Sequence, residues 1–219
     1  MLFEKFKKVE RYARYSARAF FRDTYNRIAY GPGAPLYAER IWVNPQDCLD
    51  CLDGLGDRYS AKVILSGWPP PGGKLRKIED LLKIRSSYDH WVKGIPWEET
   101  GIFGFLEKEI ERHPRSCFDD CRNQEDIRKR YSQLDVIFEE VRKERALKRQ
   151  VEVDPWAFRE KEGVYFHLGP GGSLFMGGGG CHRFAMALIL GLTRIPAKIG
   201  CVHVTAFPRL RELREFAAR

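Results

Sequence analysis

The chain has 219 residues, of which 43% are hydrophobic and 13% aromatic, enough apolar material for one domain with a core and a sizeable insertion. It carries 38 Lys and Arg against 30 Asp and Glu, a net charge of +8, and has no run of about 18 apolar residues such as a membrane-spanning helix needs. The opening residues are charged throughout and lack the apolar centre of a secretory signal, so a cytoplasmic setting is expected.

Residues 1–30 hold eight Lys or Arg against three acids. Phe3, Phe6, Val9, Ala13, Ala17, Phe20 or Phe21, Tyr25 and Ile28 recur at near-helical spacing, which predicts a basic amphipathic helix. Such a helix can meet nucleic acid phosphates or an anionic membrane through residues 1–30. The expectation favoured here is the plainer one: the aromatic stripe packs on the domain and the basic face lies in water. The glycines and prolines of YGPGAPLY (30–37) end the helix. A short strand follows at Ile41–Val43, stopped by Asn44-Pro45.

From about 50 to 125 the text is irregular, with helical patterns at Ile78–Val92 and Ile102–Ile110, and reads as a largely helical insertion. An amphipathic helix is predicted over 125–148, with Ile127, Tyr131, Leu134, Ile137, Phe138 and Val141 on one face. Val164–Leu168 and Ser173–Met176, joined by Gly-Pro-Gly-Gly, predict a hairpin. Four glycines, Gly177 to Gly180, lead into an apolar helix, His182–Leu190, capped by Gly191. IPAKIGCVHV (195–204) reads as a buried strand. The expected organisation is an N-terminal helix over 1–35, a single domain over 36–210 and a tail over 211–219.

The candidate site is the glycine run with Cys181, His182 and Arg183. Glycines allow successive N–H groups to converge and a ligand to approach without meeting a Cβ. The following helix start favours an anion, which His182 and Arg183 would reinforce. Cys181 in the same field would be a more nucleophilic thiolate. The alternative is a flexible glycine turn with Arg183 in a structural salt bridge. There is no Gly-Lys-Ser/Thr of a P-loop.

Six cysteines, at 48, 51, 117, 121, 181 and 201, are expected to be reduced rather than to form a disulfide frame, and a four-thiolate zinc site from the first four is the lesser reading. His167, Cys201 and His203 are expected as core residues. Trp91 and Trp97 are expected in packing. Asp135, Glu139, Glu140, Glu152 and Asp154 are carboxylates available to a metal, and spacing singles out none of them.

GGGGCHRFAMALILGLTRIPAKI resembles the signature shared by ParB N-terminal domains and sulfiredoxins: a Gly-rich turn, a Cys-His-Arg cluster, a short helix and Ile-Pro. RIWVNP (40–45) and residues 134–153 are similar to other parts of that order, so the resemblance covers about 90 residues, most specifically 164–200. It implies an α+β fold with a ParB/sulfiredoxin-like core: a small mixed sheet with helices, to which the insertion and the N-terminal helix are added. It further implies that ATP or CTP, with Mg²⁺, is held on the glycine turn. Gly179 and Gly180 would approach the phosphates, and His182 and Arg183 would contact them. Cys181 matches the sulfiredoxin cysteine that attacks a sulfinyl phosphate ester. Phosphoryl transfer or nucleotide hydrolysis on an unidentified small-molecule or protein acceptor is the implied activity. A non-catalytic, nucleotide-responsive binding module tethered by the basic helix is the alternative, and thiol chemistry at Cys181 a lesser one. No helix-turn-helix follows the signature, so DNA clamping is not expected, and nuclease activity ranks last for want of a carboxylate cluster.

Overall fold

The computed structural model describes residues 2–48, 50–114 and 117–215. It divides into two compact units, Met1–Lys77 with Lys148–Gly180 and Thr193–Arg219, and Ile78–Leu147 with Cys181–Leu192.

The first unit is built on a mixed sheet of seven strands: β1 (Arg40–Val43), β2 (Asp50–Asp53), β3 (Val63–Ile64), β4 (Lys74–Lys77), β5 (Val164–Leu168), β6 (Leu174–Met176) and β7 (Ile195–His203). Their order is β1-β7-β5-β6-β2-β4, with β3 on the far end of β7. β7 pairs antiparallel with β1 and parallel with β5 and β3, so all nine of its residues are buried. That explains its near-continuous apolar text, since a strand covered on both sides need not alternate. The β5–β6 hairpin forms as predicted, Phe166 opposite Met176 and Leu168 opposite Leu174.

At His167 the β5–β7 register shifts, and the Cys201 N–H donates to His167 Nδ1 at 3.0 Å. A side chain thus satisfies an amide that the bulge takes out of the ladder. Gly200 makes room for the imidazole, which a Cβ there would strike.

The segment read as the start of a helical insertion contributes β2, β3 and β4 to this sheet, and helical structure takes over only from Ile78. These strands have two to four residues each, and β4 (KLRK) is exposed throughout, so none offers the alternation by which a strand is read.

α1 (Leu2–Tyr30) ends at Gly31, whose φ of 83° closes the Gly31 N–H to Arg27 carbonyl bond. Its orientation corrects the sequence expectation. Ala19, Asp23 and Asn26 are the buried positions, whereas Phe6, Val9, Tyr12, Phe20, Phe21, Tyr25 and Ile28 are exposed; the side chain of Phe3 lies outside the described residues. The physical reason is polar anchoring. Asn26 Nδ2 donates to the carbonyls of Pro35 and Ala61 at 2.7 and 2.8 Å, and Asp23 accepts from the Tyr37 N–H and pairs with Arg159 at 2.8 Å. Ala19 packs with Tyr37, Ala38 and Phe158.

α5 (Gln150–Val153) is a single turn in the same unit. Instead of a free tail, the residues after β7 form α7 (Phe207–Glu215), and residues 216–219 lie outside the described residues. Arg214 fastens α7 to β1's entry, reaching both Glu39 carboxylate oxygens and the carbonyls of Gly33 and Ala34.

The second unit is helical: α2 (Leu82–Trp91), α3 (Ile102–Arg112), α4 (Gln124–Glu144) and α6 (Cys181–Ile189). Asn123 caps α4, its side chain accepting the Asp126 N–H at 2.9 Å. Ile127, Tyr131, Leu134, Phe138 and Val141 are buried as predicted, with Ile137 at the exposed margin. α6 buries Phe184, Ala185, Met186 and Ala187 and stops at Gly191, φ 62°, with the Leu192 N–H bonded to the Ala187 carbonyl.

Candidate functional site

The glycine run lies along β5. The Gly177 N–H donates to the Tyr165 carbonyl at 2.6 Å, and the Tyr165 N–H donates to the Gly179 carbonyl at 3.2 Å. A Cβ on Gly177 would overlap the Tyr165 ring. One on Gly180, whose φ is 79°, would come 2.7 Å from Val164 Cα. Close approach to β5 therefore requires these two glycines. Of the donors expected to converge on a ligand, the Gly177 N–H is already given to the sheet.

Gly178 and Gly179 instead form one wall of a cleft of about 380 Å³, lined also by Asp53, Asp57, Tyr165 and Lys198. Asp57 gathers the charges. Its Oδ1 lies 3.2 Å from Lys161 Nζ and 3.5 Å from Lys198 Nζ, while Oδ2 lies 3.3 Å from Arg18 and accepts the Tyr37 hydroxyl at 2.5 Å. Asp57 faces three cations, of which Lys161 is also 3.6 Å from Glu162, so two carboxylates meet three cations and the cluster keeps a small positive surplus. Burial raises the Asp57 carboxyl, but the Tyr37 hydrogen bond and the two lysines more than offset it and hold it below its ordinary value. Burial, with Lys161 adding to it, brings the Lys198 ammonium down to about 8. Lys198 Nζ also sits 4.1 Å from the Tyr165 ring centroid.

Beneath the run lies His167, fully buried and pushed down to about 3 by burial and then by the charge of Lys198. Because Nδ1 accepts the Cys201 N–H, the proton of the neutral ring resides on Nε2, which has no hydrogen-bond partner. The Cys201 thiol, 3.2 Å from Nδ1, is raised to about 12 by burial. His203 caps a turn through Thr205.

Cys181, His182 and Arg183 open α6 in the second unit. Cys181 is in no disulfide, and it and Arg183 are half-buried. His182 is not the surface cation expected of it. It is buried, with Nε2 3.3 Å from the Tyr131 hydroxyl and Nδ1 3.9 Å from Asp119, whose other oxygen pairs with Lys83 at 2.9 Å. Burial brings it down to about 4; Asp119 opposes this, and the Lys83 and Arg130 charges add to it. His182 is therefore neutral at pH 7.

Four of the five carboxylates offered to a metal have other work. Asp135 accepts from the indoles of Trp91 and Trp97, Glu139 pairs with Arg142, Glu152 with Arg149, and Asp154 with Lys8 and Arg11. Trp91 stacks on Phe138 at 4.5 Å, a packing role. Among the described residues no group of three or more His, Cys, Asp or Glu side chains is arranged to hold a metal, and none of the six cysteines is in a disulfide.

Sequence reading missed Asp57, Lys161, Tyr37 and Arg18. Lys198 did leave a signal, the single charge inside the apolar text IPAKIGCV. The architecture is that of an α+β protein with a mixed sheet, an N-terminal helix and helical additions. The chain matches no protein-family model, no curated protein and no solved structure.

Proposed function

We propose that this protein binds a nucleoside triphosphate, ATP or CTP, as the ParB/sulfiredoxin-like signature implies. That signature puts the phosphates at Gly179 and Gly180, and we place them in the cleft beside Gly178 and Gly179 because Gly180 packs on β5. The observation that carries this reading is Lys198: a buried ammonium in a cleft whose wall is glycine backbone. Holding an ammonium there costs solvation free energy that a structural residue would avoid, and a phosphate recovers it. Lys161 and Arg18 extend the positive field. Asp57 is held by three cations and the Tyr37 hydroxyl, so the half-exposed carboxylate of Asp53 is the one in this cleft that suits Mg²⁺, which would shield phosphate charge from it. The resemblance also gives Arg183 a phosphate-contacting role, which the Arg183→Ala variant tests separately. We do not carry it to His182, which is neutral and engaged with Tyr131.

Calorimetry with ATP, CTP and GTP, each with Mg²⁺, tests the reading on the wild type, Lys198→Met and Arg183→Ala. Saturable binding that weakens at least tenfold in Lys198→Met is expected. Absence of binding by every nucleotide, or equal binding by that variant, overturns it. Turnover in the same samples separates phosphoryl transfer to an acceptor from a module that binds without reaction. Cys181→Ser reports on thiol chemistry.

A further inference from the structure

α1 presents an apolar face that its own unit does not use. Ala19, Asp23 and Asn26 meet the loop residues Pro35, Tyr37, Ala38, Ala61, Phe158 and Arg159. On the other side of the helix stand Phe6, Val9, Ala13, Ala17, Phe20 and Ile28, with Phe21 beside them. Phe20, Phe21 and Ile28 are 66%, 71% and 82% exposed. Burying these side chains would be worth about 1.5–3 kcal/mol each, so a folded chain has little reason to display them together in water. They step by three, four, four, three and eight residues, an eleven-residue repeat whose place at position 24 is taken by Thr24. That period keeps the stripe on one side of a nearly straight helix and does not follow the seven-residue seam of a left-handed coiled coil.

Charge selects the occupant. Residues 1–30 hold eight cations and three acids; Asp23 is buried on Arg159 and Glu10 is paired with Arg14, so the outward field is positive. Beside the stripe, Arg18, Arg22 and Arg58 line a cleft of about 690 Å³ whose apolar lip is Phe21 and Tyr25. A second copy of the helix would bring like charges together. A surface of apolar chains beneath anionic phosphates complements both the stripe and the cations. We propose that α1 docks on an anionic phospholipid surface. Phe6, Val9, Phe20, Phe21 and Ile28 enter the headgroup–acyl boundary, and Arg14 and Arg27 lie at phosphate level. This inference is independent of the nucleotide reading.

Flotation of the full chain with vesicles of phosphatidylcholine, alone or mixed with phosphatidylglycerol, tests it. The wild type is expected to float with the mixed vesicles and not with phosphatidylcholine alone. Raising salt to about 0.5 M should weaken the association, because the charge contribution is screened. The double variant Phe20→Ser/Phe21→Ser should lose roughly tenfold or more in vesicle affinity. Both positions face water, so its circular dichroism and melting temperature should match the wild type. A second variant, Arg14→Glu/Arg27→Glu, should lose the preference for phosphatidylglycerol. Failure to float with anionic vesicles overturns the proposal, as does undiminished flotation of the Phe20/Phe21 variant, which would reduce the contact to charge alone. Sedimentation showing a dimer that the same variant abolishes would assign the face to a second copy and also overturn it.

Discussion

Gly177 and Tyr165 are joined twice over: the Gly177 N–H donates to the Tyr165 carbonyl at 2.6 Å, and the Tyr165 ring occupies the space where a Cβ on Gly177 would be. The first glycine of the run is therefore an extension of the sheet, and the positions that line the cleft are the two that follow.

This predicts a split within four identical residues. Gly177→Ala should destabilise the fold by about 1–3 kcal/mol, because the ring must move and its packing on His167 with it. Gly180→Ala should cost a similar amount, adding the left-handed backbone to a clash with β5. Gly179→Ala meets only Tyr165 Cβ at 3.6 Å, an ordinary contact, and should stay within about 0.5 kcal/mol of the wild type. Denaturant midpoints of the three variants check the ranking.

Acid should unfold the protein well above the carboxylate range. His167 and His182, pushed down to about 3 and 4, stay neutral in the folded state as pH falls, while their unfolded counterparts take up protons near 6.5. The unfolded state then binds more protons, so stability drops between about pH 6.5 and 4, by on the order of 3 kcal/mol per histidine. Above pH 7 neither contributes. Unfolding free energies at pH 7.5 and 4.5 measure this, and His182→Gln should flatten part of the slope. A flat wild-type profile would contradict the burial of both rings.

Lys198 gives the opposite window. Its folded value near 8 lies below the ordinary 10.5, so between those values the unfolded chain holds more protons and stability rises with pH. Lys198→Met should remove that rise. At pH 7 it should leave stability undiminished, since Asp57 keeps Lys161, Arg18 and Tyr37 and a desolvated ammonium is gone. A residue whose removal abolishes ligand binding without lowering stability belongs to a site and not to the scaffold.

Asn26 is expected to be the strongest single anchor of α1. Asn26→Leu leaves the buried carbonyls of Pro35 and Ala61 without the donor they share, at a cost of about 2–4 kcal/mol. Exposed Ile28→Ser, two residues on, should change stability by less than about 0.5 kcal/mol. Thermal melts of the two variants make the comparison.

Local chemistry made much of this molecule readable in advance. Asn44-Pro45 stops β1, glycines turn β5 back into β6, and Gly191 in a left-handed conformation ends α6. The buried face of α4 follows its 3.6-residue period, and the unbroken apolar run from Ile195 follows from a strand covered on both sides. Each signal acts over a few residues, so one stretch of text contains it.

Tertiary structure decided the rest, because those decisions rest on partners far away in the chain. β2, β3 and β4 are too short to carry a period and exist through their pairing. α1 is amphipathic by sequence, yet the face it turns inward was chosen by Asp23 and Asn26, whose hydrogen bonds to residues 35, 37 and 61 placed the aromatic stripe in water. The cluster around Asp57 draws on positions 18, 37, 161 and 198, which no local spacing connects. His182 reads as a cation at a helix start until burial beside Tyr131 removes the water that would stabilise its charge.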